Sequence, residues 1–360
     1  MPETPKRTVD PGDEEPRTRL NSADLQKVVF FVLQLFFHTR KTLPVIAKEV
    51  SARTGVQLVR NDVSMILRWA RFHGLIKLVP TLDEDLGQRL SRRSEDRDVQ
   101  VVQTYDVEPH ALALRGVAER GAALAMSWME RIAAANGKVH LGLGVGMMTN
   151  EFADCLVRDL GAMKHPPKMV LHLLGPACSP WGNQVHLEML SRLAPLCSEI
   201  VDFTSVPLVR TDSYDGYIQE PLMRRAFERR GEIDIVVSSI AHCRDEHGHL
   251  RGYLQQHDPA AMVVLQRMGW VGELQLNPFS KDGPLEVSGG LRAVTLFGLD
   301  EYVAMARRPD KHVVLLCAPC GQCNATKAAA LVPLLDVPRL RTWNHLVLDV
   351  ETARAVLRSA

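Results

Sequence analysis

Five of the seven cysteines in this sequence stand just beyond short apolar runs. Cys178 follows the run at 168–174. Cys243 follows the run at 233–240, beside His242 and ahead of His247 and His249. Cys317-Ala318-Pro319-Cys320-Gly321-Gln322-Cys323 continues the run at 312–316. Thiolates at such spacing can hold zinc, copper(I) or an iron–sulfur cluster, so Cys178, Cys243, Cys317, Cys320 and Cys323 form a candidate metal set. Accessible thiols could instead sense oxidants. In a third reading the cysteines only pack, as free cysteine often does, and the same region takes a small organic effector. Cys155 and Cys197 are expected in the core. A second chemical feature is Leu141-Gly142-Leu143-Gly144-Val145-Gly146, a glycine-rich passage from strand to helix whose backbone N–H groups can cradle an anion. Met147, Met148 and Thr149 follow it.

These residues need elements to position them. From Val99 onward buried strands alternate with helices. The strands are expected near 99–103, 139–144, 168–174, 199–203, 233–240, 312–316 and 346–348. Strands separated by helical stretches define a mainly parallel sheet covered on both faces. Ligands of such folds collect outside the carboxyl ends of the strands, where the glycine loop and the five cysteines fall.

The N-terminal part reads differently. Residues 1–19 have the composition of a disordered tail. Ser22 can cap a helix from Ala23 with Leu25, Val28, Val29, Val32 and Phe36 inward. Its other faces carry Phe30, Phe31, Leu35 and Phe37, so a partner or the rest of the chain is expected to cover them. A second helix runs from Pro44 to Arg53 with Val45, Ile46 and Val50 inward. After the Thr54-Gly55 turn, a third covers 61–73 with Val63, Ile66, Leu67 and Ala70 inward. A short strand over 75–79 completes a winged helix-turn-helix at 20–80. Residues 81–98 are expected to form a linker with a helix, and 99–360 the second domain.

The 360 residues are 46% hydrophobic and 24% charged, which excludes bulk disorder and suits two domains. Net charge is +1, but residues 20–80 hold nine Lys/Arg against three Asp/Glu. A basic head on a mildly acidic body fits a nucleic-acid reader with a sensing domain. An odd cysteine count and no apolar leader suit reduced thiols in the cytoplasm, with no membrane partner.

Val63-Ser64-Met65-Ile66-Leu67-Arg68-Trp69-Ala70-Arg71 with Gly74-Leu75-Ile76, Asp85-Leu86-Gly87-Gln88-Arg89-Leu90, Glu119-Arg120-Gly121-Ala122-Ala123, the glycine loop, Val271-Gly272-Glu273, Phe279, Asp282-Gly283, Lys327 and Leu346-Val347-Leu348-Asp349 occur in that order. In this order they resemble the SorC family of bacterial sugar-binding transcriptional regulators. The resemblance implies a Rossmann-like, doubly wound effector domain of the sugar-phosphate isomerase type. It also implies an effector, sugar or sugar phosphate, that alters operator binding in a homodimer or homotetramer. Gly144, Gly146, Met148, Thr149, Glu273, Phe279 and Lys327 match its effector positions, Lys327 for an anion and Glu273 for hydroxyls. Met147 and Met148 stand where the family has polar side chains, Met65 where it has Arg, and Ser239 and Ala241 where it has glycines.

On the third helix, Arg60, Asn61, Ser64 and Arg68 are placed to read base edges of double-stranded operator DNA. Lys41, Lys48, Arg53, Arg71 and Lys77 suit phosphates. The reading is a non-enzymatic DNA-binding regulator with an effector domain. A metal-, iron–sulfur- or thiol-redox-responsive regulator on the same scaffold is the alternative. An isomerase-like enzyme using Glu273, Asp282 and Lys327 is a second, although a basic head has no use in a free-standing isomerase.

Overall fold

The apolar stripe of the first helix and the apolar runs of the body belong to two separate units. The computed structural model describes residues 19–39, 41–72, 75–76, 80–104, 109–176, 180–286, 290–324 and 326–359. One unit comprises Met1–Leu78 with Gly161–Lys164, the other Val79–Leu160 with His165–Ala360.

The first unit packs three helices, α1 (Ser22–His38), α2 (Leu43–Thr54) and α3 (Arg60–Phe72). Leu25, Val28, Val32 and Leu35 of α1 meet Ile46, Ala47 and Val50 of α2 and Val63 and Ile66 of α3. This stripe leaves Phe30, Phe36 and Phe37 exposed, and Phe36 is not inward as expected. Val45 is also exposed, because the inward stripe of α2 runs through Ile46, Ala47 and Val50. The cap of α1 is Asn21 rather than Ser22. Its side-chain oxygen accepts from the Asp24 N–H at 2.9 Å and its amide also donates to the Asp24 carboxylate at 2.9 Å. Gly55 closes α2 in the left-handed region at φ 75°, where a side chain would be strained. Asp62 reaches back to accept from the Val59 N–H at 2.7 Å, half of a capping box that starts α3. Arg19, assigned above to the disordered tail, is instead bonded to both Asp62 oxygens, at 2.7 and 2.5 Å. Leu75 and Ile76 do not begin a strand. Their N–H groups both bond to the Ala70 carbonyl in a bend, and 77–79 lie outside the described residues.

The second unit runs α4 (Glu84–Arg93), β1 (Asp98–Val102), α5 (Pro109–Asn136), β2 (Val139–Leu143), α6 (Met147–Gly161), β3 (Met169–Leu173), α7 (Pro180–Leu193), β4 (Cys197–Val201), β5 (Leu208–Arg210), α8 (Tyr214–Tyr217), α9 (Pro221–Arg229), β6 (Ile235–His242), α10 (His249–His257), α11 (Pro259–Arg267), β7 (Trp270–Leu274), β8 (Asn277–Ser280), β9 (Leu291–Ala293), α12 (Leu299–Ala306), β10 (His312–Cys317), α13 (Ala328–Asp336), β11 (His345–Asp349) and α14 (Val350–Arg358). Seven strands lie in the order β1-β11-β10-β6-β2-β3-β4, every neighbouring pair parallel. Every residue of β2 and β3 is buried, as in a sheet covered on both faces. Helix α5 lies along β11, β10, β1 and β2, while α13 packs on β6 and β7. From β2 the chain goes outward through β3 and β4, then returns to β6 on the other side of β2. The sheet therefore has its switch point between β2 and β6. Past that point β7 pairs antiparallel with the end of β6 and turns back as β8.

Residues 81–98 are not a free linker. Asp83 donates its N–H to the Val101 carbonyl, Gln103 donates to Thr81, and Leu86 and Leu90 of α4 are buried. Arg93 holds both Asp336 oxygens, at 2.7 and 2.6 Å.

Within the sheet, His140 Nδ1 and His172 Nε2 lie 2.9 Å apart. Burial pushes His172 down to about 3, and His312 in β10 is pushed down to about 4 by the same cause. The unfolded chain therefore binds protons that the folded chain refuses between pH 6.5 and those values. Stability conferred by the neutral rings is complete above pH 6.5 and is lost as pH falls. Each histidine contributes a slope of up to about 1.4 kcal/mol per pH unit. Glu273, whose carboxyl is raised, acts with the opposite sign in the same window, so the histidine contribution is read as a difference. Between pH 7 and 5.5 the native chain is expected to lose roughly 1 kcal/mol more in urea unfolding than His172→Asn does. Equal pH dependence in the native chain and the variant would refute this role.

Candidate functional site

Helix α3 has two clearly different faces. Asp62, Val63, Ile66 and Ala70 are buried, whereas Arg60, Asn61, Arg68 and Arg71 are exposed and Ser64 is half-buried between them. Among the described residues no carboxylate pairs with Arg60, Arg68 or Arg71. Lys48 of α2 is also exposed and, with Ser51, Gln57 and Arg60, lines a concave surface between α2 and the start of α3. Two expected phosphate contacts are otherwise engaged: Lys41 pairs with Glu49 at 2.5 Å and Arg53 with Glu49 at 3.0 Å. The pairing with Lys41 holds the Glu49 carboxyl below its usual range. Lys77 lies outside the described residues.

In the second unit, the loop after β2 opens at the switch point. Gly144 donates to the Val237 carbonyl of β6 at 2.9 Å, and a side chain at Gly144 would collide with Gln275. Gln275 donates to Ser238 Oγ at 3.1 Å and accepts from the Val145 N–H at 3.3 Å. It therefore bridges the crevice between the β2 and β6 ends. Gly146 faces Ser239 Oγ. Thr149 is buried, and its hydroxyl donates to the Gly146 carbonyl at 2.9 Å, while Met148 is fully buried. In this structure both support the loop from behind.

The other effector positions are spread along the carboxyl edge. Phe279 is fully buried, with its ring against Gly272. Glu273 is buried and accepts from the Leu250 N–H through both oxygens at 3.0 Å, capping the start of α10. Burial raises its carboxyl to about 8, and the N–H groups of the helix act the other way. Lys327 is the N-cap residue of α13 and only 7% exposed. Among the described residues no carboxylate lies within ion-pair distance of its ammonium.

The cysteines separate into groups. Cys317 is fully buried and its thiol is pushed up to about 12 by burial, as is that of Cys155, while burial pushes Cys197 to about 11. Cys243 is half-buried against Leu250, Leu254 and their neighbours, and burial raises its thiol too. Neither Cys317 nor Cys243 joins a donor cluster among the described residues, which corrects the five-cysteine set, and Cys178 lies outside them. Cys320 and Cys323 do come together, with Asp245 and His247 of the loop after β6. His249, expected in that loop, instead opens α10.

Gln275 and Asp245 escaped the sequence reading. Asp245 had a detectable signal, standing between His242-Cys243 and His247. Gln275 had none, since it occupies a turn without a turn residue.

The architecture is a three-helix unit with a helix-turn-helix followed by a doubly wound α/β unit with its crevice at the switch point. No protein-family model and no curated protein matches the chain. Solved structures do match. The full-length sorbitol operon regulator SorC from Klebsiella pneumoniae is 15% identical with a TM-score of 0.63, covering 94% of this chain and 100% of its own. A transcriptional regulator from Streptococcus pneumoniae is 15% identical with a TM-score of 0.59, covering 77% of this chain and 97% of its own. A DeoR family transcriptional regulator from Listeria monocytogenes is 18% identical with a TM-score of 0.55, covering 76% and 98%. The chain shares the fold of these regulators, as its sequence motifs led one to expect.

Proposed function

We propose that the chain is a DNA-binding transcription regulator whose second unit binds a small anionic effector, a sugar phosphate or a similar metabolite, that changes its affinity for an operator. The observation that carries the reading is α3. A helix buried through Val63, Ile66 and Ala70 presents Arg60, Asn61, Ser64, Arg68 and Arg71 outward, without a competing carboxylate among the described residues. Arg reads guanine and Asn reads adenine through paired hydrogen bonds in the major groove. The resemblance to solved regulators supports the same reading. On the effector side, Lys327 and the first turns of α6 and α13 lie along the carboxyl edge, an arrangement suited to an anion. Glu273 is engaged in capping α10, so a catalytic carboxylate is not part of this reading. No helix among the described residues is long and apolar enough to cross a membrane. The proposed setting is the cytoplasm, with the chain acting as a homo-oligomer on paired half-sites.

Selection of binding sequences from randomised duplex DNA with the full chain tests the proposal. A two-fold symmetric motif is expected, bound about a thousandfold more tightly than random DNA and released by one member of a panel of sugar phosphates. Binding equal to that of random DNA would defeat the DNA half, and a motif indifferent to the whole panel would defeat the effector half.

A further inference from the structure

Two loops from adjacent parallel strands meet at one edge of the sheet. The loop after β6 supplies Asp245 and His247, and the loop after β10 supplies Cys320 and Cys323. A tight turn, with the Asn324 N–H bonded to the Cys320 carbonyl at 2.9 Å, brings the two cysteines to one side. The four side chains each offer a ligand atom within 4.8 Å of the others. Cys320 Sγ lies 3.6 Å from His247 Nδ1, Cys323 Sγ lies 3.6 Å from Asp245 Oδ1, and His247 Nδ1 lies 3.7 Å from Asp245 Oδ1.

These three separations match three of the six edges of a tetrahedral site. Bonds of roughly 2.3 Å to sulfur and 2.0–2.2 Å to nitrogen and oxygen place S···N and S···O edges at about 3.6 Å and an N···O edge at about 3.4 Å. Asp245 is 3% exposed, its carboxylate accepts from the His247 backbone N–H at 3.0 Å, and the imidazoles near it are those of His247 and His242. Burying a carboxylate without a cation is costly. A second group, His140, His172 and Glu232, lacks this geometry: its 2.9 Å N···N contact has the length of a hydrogen bond and is shorter than the roughly 3.3 Å edge between two nitrogen ligands of tetrahedral zinc.

The geometry points to a structural zinc site formed by Asp245, His247, Cys320 and Cys323. The donor types select the metal. Iron–sulfur clusters take four thiolates or replace two by histidine, copper(I) prefers an all-soft shell, and calcium and magnesium take oxygen alone. Two thiolates, an imidazole and a carboxylate fit zinc. Each thiol gives up its proton to solvent as its sulfur bonds the ion. Asp245 and Cys320 are buried while Cys323 is exposed, so the ion enters from the Cys323 side. The ion ties the β6 and β10 loops together, and the second of these carries Lys327. The site stands independently of the DNA and effector readings.

The test is zinc and cobalt loading of the full chain, purified anaerobically with reductant and stripped by chelator. Native protein is expected to retain one zinc ion per chain after gel filtration. Its cobalt form should show the intense visible bands of a tetrahedral site with thiolate charge transfer. Cys323→Ser, at an exposed position that does not threaten the fold, is expected to weaken zinc binding by at least about a hundredfold and to cut the thiolate band. Cys243→Ala is expected to bind as the native chain does. Failure to retain zinc, an octahedral cobalt spectrum, or native affinity in Cys323→Ser would each overturn the assignment. So would a chain that ignores zinc but closes a reversible Cys320–Cys323 disulfide, which would make the pair a thiol switch.

Discussion

A chain carrying Asn61→Ala is expected to bind its selected operator about 10- to 100-fold more weakly, and to lose discrimination at one base position in each half-site. Asn61 lies in the first turn of α3 on the exposed face, where a recognition helix enters the major groove. Its amide can make two hydrogen bonds to adenine, and a good bidentate pair carries about 1–3 kcal/mol of discrimination. Arg60→Ala and Arg68→Ala are expected to behave alike at other positions. Lys48→Ala and Arg71→Ala should instead weaken binding to all sequences equally and lower the salt slope by roughly one unit each. These side chains are exposed and lie outside the apolar cluster of the three-helix unit among the described residues, so unfolding free energies should change by less than about 0.5 kcal/mol. Repeating the selection with each variant separates the two classes. An Asn61→Ala chain that recovered the same motif at full strength would remove Asn61 from base reading.

Lys327→Ala is expected to leave operator binding intact while reducing effector affinity by about 10- to 100-fold, which abolishes release at working concentrations. The expectation rests on burial. Lys327 is 7% exposed at the head of α13, with no ion-pair partner among the described residues. A buried ammonium without a counter-charge is destabilising, and an anionic ligand relieves that cost. A charge-assisted hydrogen bond contributes about 1.5–3 kcal/mol, which sets the range. The same reasoning gives Lys327→Met the opposite effect on stability. It removes a buried charge while keeping the volume, so the effector-free chain should melt at a higher temperature. Fluorescence-monitored titration with the identified effector and thermal melts without it check the two halves. Full response in Lys327→Ala would remove the anion role, and a lower melting temperature in Lys327→Met would show that the ammonium is satisfied in the free chain.

Much of this architecture is written in the periodicity. The central strands are short, mostly buried and mostly apolar runs, and Leu25, Val28 and Val32 mark the inner face of α1 because packing requires one helical stripe. Legibility stops where side chains act on the backbone at a distance. Asn21 caps α1 because it can bond Asp24 twice, and Arg19 is ordered by Asp62, forty-three residues on. Residues 81–98 read as a linker because charge dominates them, yet Leu86 and Leu90 suffice to pin α4 beside β1. Of the donors of the proposed metal site, Cys320 and Cys323 stand out by spacing and His247 by its place after Cys243, while Asp245 joins them only through the pairing of β6 with β10. Cys317 shows the opposite error, since its place in the same run disguises a core residue.

The β7–β8 turn was illegible for a physical reason with a further consequence. Gln275 and Leu276 both sit at positive φ, 46° and 65°, where hairpins normally use Asn-Gly. Asn277 holds the turn, its side-chain NH2 donating to the Gln275 carbonyl at 2.9 Å and to Thr295 Oγ1 at 3.1 Å, with the Leu274 and Phe297 carbonyls also within reach. Left-handed backbone costs a residue with a side chain about 1–2 kcal/mol. Replacing Gln275 with Asn or Gly would relieve that cost at the first position, whereas Leu276 is packed in the core, where losing its side chain would cost about 2–5 kcal/mol. The replacement at Gln275 withdraws the side chain that bridges Ser238 and Val145 over Gly144. Thermostability and selectivity are therefore opposed at this turn, and screening variants for heat resistance alone would trade away the residue that shapes the crevice.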